Sequence, residues 1–207
     1  MNSKSAPGRT AFCFDMDGTI TKTELLPCIA AELGIADEIA ALTKATMDGH
    51  IEFEPSFRLR CLLLGQIDPQ VIQKVIASVP LDEDLLRFIA DRREDCFIVT
   101  GNLNIWIQSV LQRCACRAFS SVGEYADGKL ELKSILNKAR TLQLIREDMG
   151  YARVVAVGDG ANDAAMLNLA DVGIAYGGIH SAAQTAIHAS RYVIHDGRAL
   201  CNLLRTL

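Results

Sequence analysis

Three features are scarce in this chain, and each scarcity argues against a class of function. Positive charge is not in excess, since 21 Lys and Arg stand against 25 Asp and Glu and give a net charge of −4. The composition therefore does not favour a nucleic-acid partner. No apolar stretch reaches the roughly 18 residues of a membrane span, and residues 1–9 are polar and lack the apolar core of a secretion signal. We expect a cytoplasmic protein without nucleic-acid or membrane partners.

The cysteines do not suggest a structural metal site. Seven are present, and Cys13, Cys61 and Cys96 lie inside apolar runs, which is typical of buried thiols. Cys114 and Cys116 have a spacing that can ligate metal, but no second pair accompanies them. We interpret both as structural.

The most informative segment is 12–19, where two aspartates follow an apolar run and precede a glycine. Asp15 and Asp17 lie at the end of a predicted strand, and Gly18 permits a sharp turn there. The turn would let both carboxylates converge at the carboxyl end of the strand, where open α/β sheets bind ligands. An aspartate in this position can attack phosphorus and form an acyl phosphate. The segment indicates phosphoryl-transfer chemistry.

A second acidic turn follows the apolar strand 154–157. Asp159 and Asp163 lie four positions apart around the start of the next predicted helix. Either acidic turn alone is about as compatible with a simple turn or helix cap as with catalysis. Two of them at strand ends in one α/β chain favour catalysis, and facing each other they would hold a hard cation, of which Mg²⁺ is the usual choice beside phosphate.

The chain-wide pattern predicts an α/β protein with a small helical cap inserted after strand one. A chain of 207 residues can form one core plus such an insertion. Helical periodicity covers residues 20–80, with Val71, Val75 and Val79 on the apolar face of its last helix. Beyond it we predict strands at 96–100, 154–157, 172–175 and 192–194, a hairpin at 121–132, and helices at 105–112, 161–169, 180–188 and from 198. Residues 10–19 and 81–207 would form the core, and residues 20–80 the cap.

From about Ala11 to its end, the chain resembles the haloacid dehalogenase superfamily of phosphohydrolases, and within it the phosphoserine phosphatase branch. Its four motifs have candidates here: Asp15-x-Asp17-Gly18-Thr19, Thr100-Gly101, Lys138, and Gly158-Asp159-Gly160-x-Asn162-Asp163. The resemblance implies a doubly wound parallel sheet. Lys133 is an alternative to Lys138, but the family spacing before the fourth motif favours Lys138.

The resemblance also implies roles for these residues. Asp15 would be the nucleophile and Asp17 the general acid and base, while Asp15, Asp159 and the backbone carbonyl of Asp17 would bind Mg²⁺. Asp163 would order metal-bound water. The phosphoryl oxygens would be held by Thr100, the amide of Gly101 and Lys138.

The predicted cap should determine the substrate, a small phosphorylated metabolite. By resemblance Glu24 would bind the substrate amine, Arg60 its carboxylate, Phe53 would shield the site, and Asn162 would contact the substrate. The chemistry agrees, because a zwitterion is complemented by one anion and one guanidinium. One departure is Thr100-Gly101-Asn102, where the family typically has Ser-Gly-Gly, because the Asn102 side chain would narrow the pocket.

Phosphoserine or a similar phosphorylated amino acid is therefore the expected substrate, and three alternatives stay open. The chain could hydrolyse another small phosphorylated metabolite or transfer its phosphate to an acceptor other than water. A phospho-accepting receiver domain also uses Asp, Mg²⁺, Thr and Lys, but its motif order differs and it lacks an inserted cap. Both a monomer and a homodimer are compatible with the sequence.

Overall fold

A seven-stranded sheet runs through the computed structural model, which describes residues 8–207. Most of the polar segment 1–9, on which the expectation about secretion rests, lies outside the described residues. The strands are β1 (Thr10–Phe14), β2 (Cys96–Leu103), β3 (Arg117–Ala126), β4 (Lys129–Ser134), β5 (Arg153–Gly158), β6 (Val172–Tyr176) and β7 (Tyr192–Ile194). Their order is β4-β3-β2-β1-β5-β6-β7. Neighbours are parallel except for the β3–β4 hairpin, which is antiparallel.

Helices cover both faces of this sheet. They are α1 (Leu25–Ala30), α2 (Ala36–Met47), α3 (Phe53–Leu64), α4 (Pro69–Ala77), α5 (Glu83–Asp91), α6 (Gln108–Cys114), α7 (Lys138–Glu147), α8 (Ala164–Leu169), α9 (Gln184–His188) and α10 (Gly197–Leu204). Short 3₁₀ turns lie at Ala31–Leu33 and Ala161–Asp163. No helix among the described residues combines the length and the apolar character needed to cross a membrane.

Strand β1 shows why the sheet is covered on both sides. Its side chains alternate, so Phe12 and Phe14 enter a cluster with α5, α6 and α10, whereas Ala11 and Cys13 enter a second cluster with α7, α8 and α9. A strand that is apolar at every position must be buried on both faces. The predicted doubly wound α/β fold is confirmed.

The sheet reverses its strand order at β1, which places three strand ends together. Phe14 is level with Ile98 of β2 and with Val157 of β5. The residues that follow these positions therefore emerge at one edge of the sheet. Open α/β sheets bind ligands at such a reversal.

Residues 20–80 form a helical insertion that leaves and re-enters the core at one place. The amide of Lys22 donates to the Pro80 carbonyl at 2.9 Å and the amide of Asp82 to the Ile20 carbonyl at 2.8 Å. Thr21 and Leu81 form an antiparallel bridge. Helices α1 to α4 lie in the insertion, as predicted, and its apolar side chains join the α5-side cluster of the sheet.

The predicted apolar face of α4 differs from the observed one at two of its three residues, while Val79, just beyond the helix end, is buried as predicted. Ile72 and Ile76 are fully buried, whereas Val71 and Val75 are only partly buried. The helix carries two adjacent β-branched stripes, and periodicity alone cannot choose between them. Helix α4 packs against α1 and α6, and its isoleucine stripe is the one that is fully buried.

Several predicted boundaries also differ. Strand β2 continues to Leu103 rather than ending at residue 100, α6 begins at Gln108, and α9 begins at Gln184 rather than at His180. His180 therefore lies in the loop after β6. Helices α5 and α7 lacked a prediction, and α7 has only a narrow apolar stripe, Leu142 and Ile145, to signal it.

Cys13, Cys61 and Cys96 are buried free thiols, as predicted.

Candidate active site

A pocket opens at the carboxyl ends of β1, β2 and β5, with the helical insertion as its opposite wall. Nine predicted site residues line it: Asp15, Asp17, Glu24, Phe53, Arg60, Thr100, Gly101, Asp159 and Asn162. The other two, Lys138 and Asp163, lie directly behind the pocket. The Lys138 ammonium contacts the Asp15 carboxylate and lies 2.5 Å from Asp163 Oδ1. All eleven predicted residues are thus brought together.

Lys138 forms a buried ionic contact with two carboxylates at the base of the pocket. Its side chain is 5% exposed, and those of Asp15 and Asp163 are 8% and 0% exposed. Burial by itself would lower the pKa of Lys138, but the two carboxylates outweigh it and raise that pKa above its ordinary value. The lysine therefore stays charged.

The alternative lysine lies elsewhere. Lys133, on β4, is 43% exposed and pairs with Glu124 and Glu131 at 2.6 Å each. This is a surface ion-pair network of the hairpin. The structure favours Lys138 as the lysine of the pocket.

Negative charge exceeds positive charge among the buried groups of the pocket. Burial, together with Asp163, raises the pKa of Asp15 to about 7, although Lys138 acts in the opposite direction. Burial raises the pKa of Asp159 well above its ordinary value, with Asp15 and Asp163 adding to the effect. Burial also raises the pKa of Asp17 well above its ordinary value, and the neighbouring Glu24 and Asp15 raise it further. Lys138 and the buried Arg60 are together outnumbered by the carboxylates of the pocket.

The acidic centre fits a divalent cation. Asp15, Asp159 and Asp163 each offer an oxygen within 4.8 Å of the others. Asp159 Oδ2 is buried and accepts no hydrogen bond from any residue that the structure describes, although a buried carboxylate oxygen normally has a partner. Asp163 Oδ2 is satisfied, since it accepts from the amides of Asp159 and Gly160 at 3.1 and 3.0 Å. An all-oxygen set of this kind is what Mg²⁺ requires.

Both carboxylate oxygens of Asp17 are held by donors. The amide of Leu25, at the start of α1, donates to Oδ1 at 3.0 Å, and the side-chain amide of Asn102 donates to Oδ2. Because β2 continues past Thr100, Asn102 is carried to the pocket wall. Our sequence analysis considered Asn102 only as an obstruction, and its contact with Asp17 was missed.

Two residues at the end of β2, Thr100 and Gly101, line the pocket. Thr100 is 1% exposed, and its hydroxyl oxygen accepts from the Asn102 amide at 3.2 Å, which leaves the hydroxyl hydrogen free to donate. The Phe53 ring from α3 lies so close to Gly101 that a side chain there would collide with it. The insertion therefore closes directly over the end of β2.

Arg60 presents an unused donor to the pocket. The residue is 4% exposed, its Nε donates to the Ser56 carbonyl at 3.3 Å, and its Nη1 donates to the Thr43 hydroxyl at 3.1 Å. Its Nη2 is buried and has no hydrogen-bond partner in the described part of the chain. The aromatic rings of Phe53 and Phe57 lie 6.0 and 5.9 Å from the guanidinium. A buried, positioned guanidinium with a free donor is suited to an anion.

Glu24 has a neighbour that the sequence analysis did not anticipate. His180 Nε2 lies 3.2 Å from Glu24 Oε1 and 3.1 Å from Asp159 Oδ2. The signal available in the sequence was the Gly177-Gly178 pair after β6, which makes a loop at the carboxyl edge of the sheet more plausible than a helix.

Buried carboxylates around one lysine, at the place where an open α/β sheet binds its ligands, define a class of protein that handles phosphoryl groups. Within that class the chain belongs to the haloacid dehalogenase-like hydrolase family, whose family model matches residues 10–171.

Several proteins similar to this chain are phosphoserine phosphatases. The phosphoserine phosphatase of Streptomyces coelicolor is 33% identical over 190 residues, which cover 84% of this chain and 46% of that protein. The phosphoserine phosphatase of Methanocaldococcus jannaschii is 30% identical, covering 79% of this chain and 83% of that protein. A solved structure, a phospho-aspartyl intermediate analogue of phosphoserine phosphatase, matches 98% of this chain and 100% of its own with a TM-score of 0.83 and 26% identity. The chain spans about half the length of several curated relatives that it matches.

Proposed function

We propose that this chain is a Mg²⁺-dependent phosphomonoester hydrolase that forms an aspartyl-phosphate on Asp15 and acts on phosphoserine or a similar small phosphorylated amino acid. The observation that carries the proposal is the opposition of two buried groups across one pocket. The Lys138-bound carboxylate of Asp15 lies at its base, and the free donor of Arg60 lies on the wall formed by the insertion. The names of the similar relatives support the same substrate.

In the first step, a carboxylate oxygen of Asp15 attacks phosphorus and the bond to the substrate alkoxide breaks. The alkoxide takes a proton from Asp17, whose raised pKa suits a group that donates a proton near neutral pH. Thr100, the Gly101 amide and Lys138 would stabilise the equatorial phosphoryl oxygens as charge spreads over them.

In the second step, Asp17 acts as a base. Its carboxylate takes a proton from a water molecule, the water oxygen attacks phosphorus, and the bond to Asp15 breaks. Inorganic phosphate leaves, and both aspartates return to their starting states. The two donors to Asp17 would keep its carboxylate directed at the pocket in both steps.

Asp15, Asp159 and the backbone carbonyl of Asp17 would hold Mg²⁺, with Asp163 ordering its water. When bound, the ion would offset the repulsion between the carboxylates and an anionic phosphate. The protein contributes the fixed oxygens and the exclusion of bulk water by Phe53.

Substrate choice would depend on the insertion, which we propose to be a cap domain of residues 20–80 on a core of residues 10–19 and 81–207. Arg60 would bind the substrate carboxylate, Glu24 its ammonium, and Asn162 would contact it from the core side of the pocket. The cytoplasmic location and the oligomeric state stay predictions.

A second candidate is a phosphatase or phosphotransferase for another small phosphorylated metabolite. The contact of His180 with Glu24 favours it, since it engages the proposed amine-binding group. The Asn102 side chain occupies the pocket wall beside Asp17, where the family typically has glycine, and so changes the space next to the reacting group.

A substrate panel would test both candidates. We expect Mg²⁺-dependent phosphate release from phosphoserine at a higher kcat/KM than from phosphoethanolamine, which lacks the carboxylate, and from sugar phosphates, which lack both groups. Phosphate release that equals substrate loss would identify water as the acceptor. A preference for phosphates without a carboxylate would reject phosphoserine as the substrate. Activity in chelator equal to that in Mg²⁺ would reject the proposed metal dependence.

A further inference from the structure

The loop after β6 brings an imidazole beside the acidic centre. His180, Glu24 and Asp159 each offer one ligand atom, and the three atoms lie within 4.8 Å of one another. We propose that these residues form a second cation site, which takes a transition ion such as Zn²⁺ or Co²⁺ rather than Mg²⁺.

The two separations from the imidazole nitrogen fit tetrahedral coordination. Bonds of roughly 2.0 to 2.1 Å, typical of zinc with imidazole and carboxylate, separate tetrahedral ligand atoms by about 3.3 Å. His180 Nε2 lies 3.2 Å from Glu24 Oε1 and 3.1 Å from Asp159 Oδ2. Both separations are therefore close to the edge of a tetrahedron around one ion.

An unpartnered buried oxygen points to a ligand at this place. The Asp159 side chain is 2% exposed, and its Oδ2 accepts no hydrogen bond, although His180 Nε2 is near. Gly18, with a φ of +69°, leaves the opening clear: a Cβ there would lie 2.6 Å from Asp159 Oδ2 and 3.3 Å from His180 Nε2. Any other residue at this position would fill the space between the two ligand atoms.

The ligand types distinguish this site from the all-oxygen centre. Imidazole nitrogen suits Zn²⁺, Co²⁺ and their neighbours in the first transition row, whereas carboxylates alone suit Mg²⁺. A surface groove lined by Lys44, Asp48, His180 and Gln184 reaches Glu24 and provides an access path for the ion.

The two sites share Asp159, so their ions compete. A transition ion would also engage Glu24, the proposed amine-binding group, and should inhibit the enzyme at saturating Mg²⁺. Only this inhibition rests on the proposed function, because metal binding itself does not require it.

Cobalt titration of the metal-free full-length chain tests the site, with the visible absorption of Co²⁺ as the readout. We expect His180→Gln to weaken Co²⁺ binding at least about tenfold and to lower its absorption. The control His188→Gln, which removes an exposed histidine of α9, should match wild type. Glu24→Gln should weaken Co²⁺ binding as well. This second variant keeps the test valid if circular dichroism shows that the other one does not fold.

Equal Co²⁺ affinity and spectrum in wild type and His180→Gln would overturn the proposal and leave the His180–Glu24 contact as an ion pair only. In the activity assay, Zn²⁺ should inhibit His180→Gln at a concentration at least about tenfold higher than wild type. A chain without phosphatase activity that still binds Co²⁺ through His180 would reject the proposed function and retain the site.

Discussion

Replacement of Arg60 by Ala separates substrate recognition from catalysis. The guanidinium is buried, and one of its nitrogens has no hydrogen-bond partner among residues 8–207. The matched control is Arg58→Ala on the same helix, because Arg58 is 57% exposed and pairs only with Glu54 at the surface.

The magnitude follows from the bond that the substrate would make. A hydrogen bond to a charged group contributes roughly 1.5 to 3 kcal/mol, and about 1.4 kcal/mol corresponds to a factor of ten. For phosphoserine, kcat/KM should therefore fall about tenfold to a hundredfold in Arg60→Ala. The loss should be mainly in KM, since Arg60 is proposed to bind the substrate carboxylate and not the phosphoryl group. Arg60→Lys should recover only part of the lost kcat/KM, because an ammonium lacks the planar arrangement of two donors that a guanidinium offers to a carboxylate.

Steady-state phosphate release would be measured with phosphoserine and with an aryl phosphate that has no carboxylate. With the aryl phosphate, we expect nearly equal kcat/KM for wild type, Arg58→Ala and Arg60→Ala. An equal loss on both substrates in Arg60→Ala would refute the assignment, because it would show that Arg60 acts on the fold of the site rather than on the substrate.

Four further predictions concern the base of the pocket. Asp15→Asn should lower kcat by at least about three orders of magnitude with an unchanged circular dichroism spectrum, since the amide cannot form the acyl phosphate; turnover near wild type would eliminate that intermediate. Lys138→Met should lower the free energy of unfolding by about 3 to 5 kcal/mol in urea titration, because two carboxylates lose their buried partner, whereas the exposed Lys133→Met should change it by less than about 1 kcal/mol. Asn102→Gly should lower kcat, since Asp17 loses one donor, and a higher phosphoserine turnover would instead show that the side chain obstructs the pocket. The pKa of Asp15 is raised from 3.8 to about 7 in the folded chain, so its protonation stabilises the metal-free fold fully below about pH 4 and this contribution is lost as the pH rises through 7. The melting temperature in chelator should fall over that range and Mg²⁺ should reduce the fall; a pH-independent melting temperature would contradict the raised pKa.

The aspartates at the base of the pocket were predictable because they follow apolar strands, whereas Lys138, at the start of α7, was chosen only through the family spacing. Asp15 and Asp159 stand where β1 and β5 end, and parallel strands that share a sheet edge bring such residues together. No long-range information was needed beyond the identity of the strands.

Residues that reach the pocket from helices and loops were harder to predict. Arg60 was found only through resemblance, because an arginine on a helix is usually exposed. His180 was placed in a helix, although a glycine pair precedes it. The Asn102 contact depends on β2 continuing past its last apolar residue, and the face of α4 depends on which stripe α1 and α6 contact. Each of these outcomes is decided by tertiary packing rather than by local pattern.

The paired ends of the helical insertion have a consequence for how this protein can be re-engineered. Because hydrogen bonds join residues 20–22 to 80–82, the core already holds the two splice points at the distance of neighbouring strands. A short turn, or the insertion of a relative, could be ligated between them with little additional loop-closure entropy. Chimeras exchanged at this junction should keep the chemistry of the parent that supplies the core and take the substrate preference of the parent that supplies the insertion. Substrate preference could then be transferred between relatives by exchanging this one segment.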